Sequence, residues 1–188
     1  MLFVLFDLET TGFSPYQNEI IQIAAVRMRQ GEVEGEGFES FVRPERGVPR
    51  FISELTGVTE ADVCDAPEPA PVLRAFSQFV GNATLVAHNG SRFDLGFIRE
   101  TCRRHQLPMR QVPFLDSMTL SRRLWRQAPS HSLDAVMERL GLSGEGLRRH
   151  DARGDVRILA EAVRRMWDQL SPGFQLSPLT FEAGAIAE

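Results

Sequence analysis

Asp7 and Glu9 stand two positions apart where the apolar run Leu2-Phe3-Val4-Leu5-Phe6 gives out. In an extended chain alternate side chains project to one side, so both carboxylates leave the strand tip together. Two like charges held side by side next to a core repel one another and resist desolvation. Two further acids interrupt apolar stripes. Asp94 heads the helically spaced series Asp94, Ile98, Cys102, and Asp155 lies at the edge of a stripe running from Ala152 through Val156, Leu159 and Val163 to Leu170. An oxygen-only donor set of this kind suits hard divalent cations, Mg2+ or Mn2+, whereas zinc would recruit histidine or cysteine. Two such ions about 3.5–4 Å apart stabilise the attacking and leaving oxygens of phosphoryl chemistry. His150, five positions before Asp155, belongs to the residue type that titrates near neutrality and can act as general base to a water there. Singly, each acid is as consistent with an ion pair to an arginine or a helix cap, and His150 with a helix-terminal surface residue. The pair Asp7/Glu9 joined to two stripe aspartates is what points to metal.

The elements that must carry these groups follow from the hydrophobic pattern. The run into Asp7 reads as a buried strand closed by Gly12 and Pro15. Residues 20–28 continue as a second strand, and a turn at Gln30-Gly31 leads to a third near 37–42, an antiparallel meander. Residues 43–70, rich in Pro, Arg and Glu, read as an ordered connection over the sheet. A helix through Val72, Leu73, Phe76, Phe79 and Val80 ends at Gly81, and Thr84-Leu85-Val86-Ala87 is a short strand before His88-Asn89-Gly90. The helix headed by Asp94 follows, then a brief fifth strand at Phe114-Leu115-Asp116, helices over 117–126 and 131–140, and a last helix from Ala152 to Leu170. Strands first and βα alternation after them predict an α/β fold with a mixed five-stranded sheet flanked by helices, its ligand site beyond strand ends. Residues 171–188 read as a tail.

At 188 residues and 43% hydrophobic composition the chain holds one well-formed core. Cys64 and Cys102 show no metal-binding spacing, so both read as core thiols of a reduced compartment. No apolar run reaches the length of a membrane span, and a cytoplasmic protein is expected. The net charge is -4 and all 21 basic residues are arginine, which argues against a wrapper of duplex nucleic acid but not against an enzyme acting on a chain end. The clusters Arg103-Arg104, Arg122-Arg123-Arg126 and Arg148-Arg149-Arg153 read either as a track for a phosphate backbone or as solvated helix faces.

Asp7-Leu8-Glu9-Thr10-Thr11-Gly12, His88-Asn89 through Phe93-Asp94, and His150-x-Ala152-x-x-Asp155 resemble, in that order, the three motifs of the DEDDh, or DnaQ-like, 3'-to-5' exonucleases. The resemblance covers about residues 1–170. It implies a ribonuclease H-like fold and a two-metal hydrolysis releasing nucleoside 5'-monophosphates. It makes Asp7, Glu9, Asp94 and Asp155 ligands of two Mg2+ or Mn2+ ions and His150 the base that activates water. By the same match Thr11, Leu55, His88, Asn89 and Phe93 hold the terminal nucleotides, although Leu55 and Phe93 are equally readable as core. His131 is read as structural.

Gln175-Leu176-Ser177-Pro178-Leu179-Thr180-Phe181 is similar to the peptides that dock replication proteins into a sliding clamp, with Gln175, Leu179 and Phe181 as anchors. A tail folded back on its own domain is the alternative. The expected activity is hydrolysis at the 3' end of single-stranded DNA in proofreading beside a DNA polymerase. An exoribonuclease like ribonuclease T or oligoribonuclease, and a silent clamp-associated binding module, are the other readings; the intact acids and His150 argue against the last.

Overall fold

The computed structural model describes residues 1–143, 150–170 and 182–188. Its centre is β1 (Leu2–Thr10), which pairs antiparallel with β2 (Ile20–Arg29); β2 pairs antiparallel with β3 (Glu32–Phe41). On its other side β1 runs parallel to β4 (Thr84–Ala87), and β4 parallel to β5 (Met109–Asp116). The expected meander and βα alternation are both present. The 43–70 connection carries two short helices, α1 (Arg50–Thr56) and α2 (Glu60–Val63). The next helix, α3 (Pro69–Val80), starts on a proline, which the first turn tolerates because its N–H would be unpaired there anyway.

The sheet has six strands rather than five, in the order β3-β2-β1-β4-β5-β6. The sixth, β6 (Glu182–Ala187), comes from the stretch expected to be tail and pairs antiparallel with β5 from Phe114↔Glu182 to Met109↔Ala187. β5 is correspondingly longer than the three residues expected. Pro113 has no N–H to give a ladder, and it lies just before Phe114–Asp116, the part of β5 that pairs with β4, at a point where one side of β5 carries no ladder.

Each face of the sheet is covered, which is why β1 is apolar without alternation. Val4, Phe6 and Leu8 pack with α3 and with Phe97, Ile98 and Cys102 of α4 (Asp94–Arg104). Phe3 and Leu5 point the other way, into Val156, Leu159, Val163 and Trp167 of α7 (Ala152–Leu170), with Leu120 of α5 (Ser117–Leu124) and Val136 of α6 (Leu133–Leu140). Phe3 and Trp167 meet with ring centroids 5.3 Å apart. Cys102 is buried, and burial pushes its thiol up to about 11. Cys64 is exposed, against the expectation of a core thiol, because it caps α2 on the outside of the connection. Among the described residues no helix is long and apolar enough to cross a membrane.

Candidate active site

The alternation of β1 decides which acids meet. Asp7 and Glu9 share the parity of Phe3 and Leu5, so they emerge on the α7 face, half-buried at the strand tip. α7 brings Asp155 to them from its first turn, where a carboxylate also sits well against the helix dipole. One carboxylate oxygen from each of Asp7, Glu9 and Asp155 lies within 4.8 Å of the other two. Three of the four expected metal ligands are therefore in one group.

Asp94 belongs to α4, on the opposite face, and is not in that group. It approaches the same strand tip from the other side. β4 pairs with β1 only over Phe3–Leu5, and beyond that point the Leu8 backbone N–H is directed at the Asp94 carboxylate. Burial above all, and with it the Asp116 carboxylate nearby, push that carboxyl up to about 7 against the backbone N–H groups of Asp94 itself and of Leu8, which favour its charged form. A buried acid in this position ionises fully at neutral pH when a cation joins it.

His150 stands two residues before α7, exposed and in the left-handed region at φ 57. Its backbone N–H reaches Asp155 Oδ2 at 3.3 Å. The third motif is thus held together locally, His150 beside Asp155.

Two residues that the sequence did not single out hold these pieces in place. Gln22 of β2, 2% exposed, is the register partner of Glu9. Its Oε1 accepts the Ala152 N–H at 3.2 Å and its Nε2 donates to Asp151 Oδ1 at 3.4 Å. One buried amide therefore clamps the start of α7 to the strand beside Glu9. Asp151 is also gripped by Arg153, 2.7 Å to Oδ2, and this guanidinium holds its carboxyl below the usual range.

Asp116 ends β5 as Asp7 lies near the end of β1, and it is buried. Its carboxylate accepts from the backbone N–H groups of Asn89, Ser91 and Met118 and from Ser91 Oγ, at 2.9 to 3.3 Å. The loop that leads into Asp94 is thereby tied to the next strand. Gly90 makes the close approach possible, since a Cβ there would meet the Ala87 Cβ at 2.4 Å. The sequence signal for Asp116 is the one that exposed Asp7, an acid where an apolar strand ends.

The expected nucleotide-holding residues are placed unevenly. Leu55 is 42% exposed on α1, so it is surface rather than core. Asn89 is exposed at φ 62, and Phe93 is half-buried against Phe97 at 4.9 Å between ring centroids. Thr11 is buried, and its Oγ1 accepts the Glu19 N–H at 2.9 Å. His88 Nε2 meets the His131 carbonyl at 2.8 Å, so this nitrogen carries the proton, and Nδ1 meets Ser117 Oγ at 2.8 Å. Both ring nitrogens of His88 therefore have protein partners, and it braces the loop before Asp94. His131 is structural as expected, with Nδ1 at 2.7 Å from Ser121 Oγ. Arg148, Arg149, Gln175, Leu179 and Phe181 lie outside the described residues.

A family model described as RNase T exonuclease matches residues 4–163. The chain belongs to this exonuclease family. The exonuclease is 44% identical over 170 residues to a DNA polymerase III subunit epsilon-like protein of Rhodobacter capsulatus, covering 88% of this chain and 24% of that one. It is 36% identical over 169 residues to a PolC-type DNA polymerase III of Streptococcus thermophilus, covering 89% of this chain and 11% of the other. It thus spans a quarter or less of the length of these relatives. The crystallographic nuclease domain of 3'hExo, a DEDDh family member bound to rAMP, superposes with a TM-score of 0.77 over 95% of this chain and 97% of that one, at 19% identity. The fold and the family are those of a DEDDh, DnaQ-like exonuclease.

Proposed function

We propose that this exonuclease hydrolyses the terminal phosphodiester at the 3' end of single-stranded DNA and releases nucleoside 5'-monophosphates, in proofreading beside a DNA polymerase. The observation that carries the reading is the convergence of Asp7, Glu9 and Asp155 within 4.8 Å. This all-oxygen set, with buried Asp94 behind it, fits hard divalent cations, Mg2+ or Mn2+. Asp7, Glu9, Asp155 and Asp94 would hold two of them. Such ions supply charge neutralisation at the attacking and leaving oxygens.

The chain's own residues do the rest. His150 takes a proton from the attacking water as its oxygen bonds to phosphorus, and the bond from phosphorus to the 3' oxygen of the preceding nucleotide breaks; that oxygen takes its proton from solvent. Its exposed, left-handed position lets it exchange the acquired proton with solvent afterwards. Exposed Leu55 and Asn89, with half-buried Phe93, offer apolar and amide surface for the terminal bases. DNA is favoured over RNA by the two relatives described as DNA polymerase III proteins. RNA is the runner-up, favoured by the solved neighbour bound to rAMP. Gln175, Leu179 and Phe181 are proposed as anchors for a sliding clamp, in a segment tied at one end to α7 and at the other to β6.

The test uses 3'-labelled and 5'-labelled DNA and RNA oligomers with Mg2+, Mn2+ or EDTA. Expected is metal-dependent release of mononucleotides from the 3' end of DNA, absent in Asp7→Ala. His150→Ala should lower turnover by about 100-fold or more with metal affinity little changed. No release from either polymer rejects the reading, and faster release from RNA replaces its substrate. For the clamp, equal capture of wild type and of Gln175→Ala with Phe181→Ala ends the proposal.

A further inference from the structure

Of the nineteen described arginines, eight reach a carboxylate: Arg29, Arg43, Arg50, Arg103, Arg104, Arg153, Arg164 and Arg165. Three of the remaining eleven share one cleft. Arg123, Arg126 and Arg139 line it together with Trp125, Ala128 and Pro129, around a cavity of about 610 Å3. Among the described residues none of these three arginines has an ion pair. Arg139 places its guanidinium 5.5 Å from the centroid of the Trp125 ring and donates from Nη2 to the Ser130 carbonyl at 2.7 Å, while Nη1 finds no acceptor. Its charge is therefore held by an indole and a carbonyl, with no carboxylate partner among the described residues. The same field reaches the next loop, where burial and then Arg139 and Arg122 hold His131 below the ordinary imidazole range.

The cleft is linked to the loop before Asp94 through the chain and one hydrogen bond. Two residues after Pro129 comes His131, whose carbonyl accepts from His88, and His88 opens the loop that carries Asp94. Planar guanidinium groups match phosphate oxygens in pairs, and a half-buried indole offers a face to a base. In a chain of net charge -4, a cluster of arginines without ion pairs among the described residues is a local reversal of sign that attracts a polyanion.

We infer that the Trp125 cleft is a second nucleic-acid contact, which holds a backbone phosphate of the same single polynucleotide strand whose 3' end lies at the acidic site. This rests on the exonuclease reading for the choice of polyanion. It predicts that strands long enough to reach the cleft bind more tightly than short ones, through Arg123 and Arg126.

The test is metal-free binding in EDTA of fluorescein-labelled oligothymidylates of three and twelve nucleotides, over a series of KCl concentrations. For the twelve-mer, Arg123→Ala with Arg126→Ala should lose about tenfold in affinity, and its logarithmic salt slope should fall by about one to two, about one for each phosphate no longer neutralised. The trinucleotide should bind both proteins alike. The twelve-mer should also change Trp125 emission, a response absent in Trp125→Phe, whose remaining indole, Trp167, is packed in the core. Equal affinity and slope for wild type and double variant overturn the inference, as does unchanged Trp125 emission. A polyglutamate peptide that moves Trp125 emission while the twelve-mer does not would overturn it in favour of an acidic protein partner. If wild type releases no nucleotide with metal but still binds the twelve-mer through these arginines, the hydrolytic reading falls and the cleft stands.

Discussion

Gln22 shows how much of an acidic site is made by neutral neighbours. Its amide answers two opposite demands, accepting from the Ala152 N–H through its oxygen and donating to Asp151 through its nitrogen. Gln22→Leu leaves the buried Ala152 N–H unpaired, which should cost about 1–3 kcal/mol in urea unfolding. It should also lower kcat more than it raises KM, because His150 and Asp155 lose their anchor to the Glu9 strand. Gln22→Glu keeps the acceptor but sets a charge beside Asp151 and Glu9, so its kcat should fall at least as far. Wild-type kcat in both variants would show that the clamp plays no part in catalysis. The acids and His150 were legible because charged types at a strand tip or on an apolar stripe conflict with their surroundings. Gln22 and Asp116 were not, for different reasons. The partners of Gln22 lie 129 and 130 positions away, and a glutamine in a strand conflicts with nothing. Asp116 carries the same signal as Asp7, an acid where an apolar strand ends, but no second acid stands two positions from it to mark a site.

At the level of elements, the pattern located every helix from α3 onward and the first five strands, and it missed β6. Strand signals are β-branched and aromatic residues in alternation, whereas Glu182-Ala183-Gly184-Ala185-Ile186-Ala187 has one β-branched residue. The small residues are what the site requires. A Cβ on Gly184 would lie 3.2 Å from the Phe114 Cβ and 3.4 Å from Leu95 Cδ1, so close packing on β5 and α4 replaces propensity as the reason for the strand. Gly184→Val should therefore destabilise the protein by about 1–3 kcal/mol through overpacking. Ile186→Ala, which empties a fully buried position, should cost about 2–5 kcal/mol. Both are read from chemical denaturation midpoints, and unchanged midpoints would mean that β6 does not hold the edge of β5. The strand also governs how the clamp proposal is tested. Truncation before Glu182 removes an element of the sheet along with anything attached to the segment before it, so substitutions, not deletions, report on Gln175, Leu179 and Phe181.

Across the whole molecule, the parallel strands β1, β4 and β5 deliver the chemistry to one edge. Asp7 and Glu9 end β1, the loop from His88 to Asp94 follows β4, and Asp116 ends β5, the place where α/β sheets keep their ligands. Helices from both faces complete it, Asp94 from one and Asp155 from the other. The site is therefore a junction of both layers, and a cation that binds there ties them together. Binding to the folded state alone adds about 2.7 kcal/mol at a ligand concentration 100 times the dissociation constant. For a chain of this size that corresponds to a rise of about 5–11 °C in melting temperature. Saturating Mn2+ should raise the melting temperature of the wild type by about that amount over the EDTA-treated protein. Asp7→Asn should lose most of the rise, because it removes a carboxylate common to the group of three. An equal rise in the variant would place the bound ion elsewhere and would separate the acidic group from the metal chemistry assigned to it.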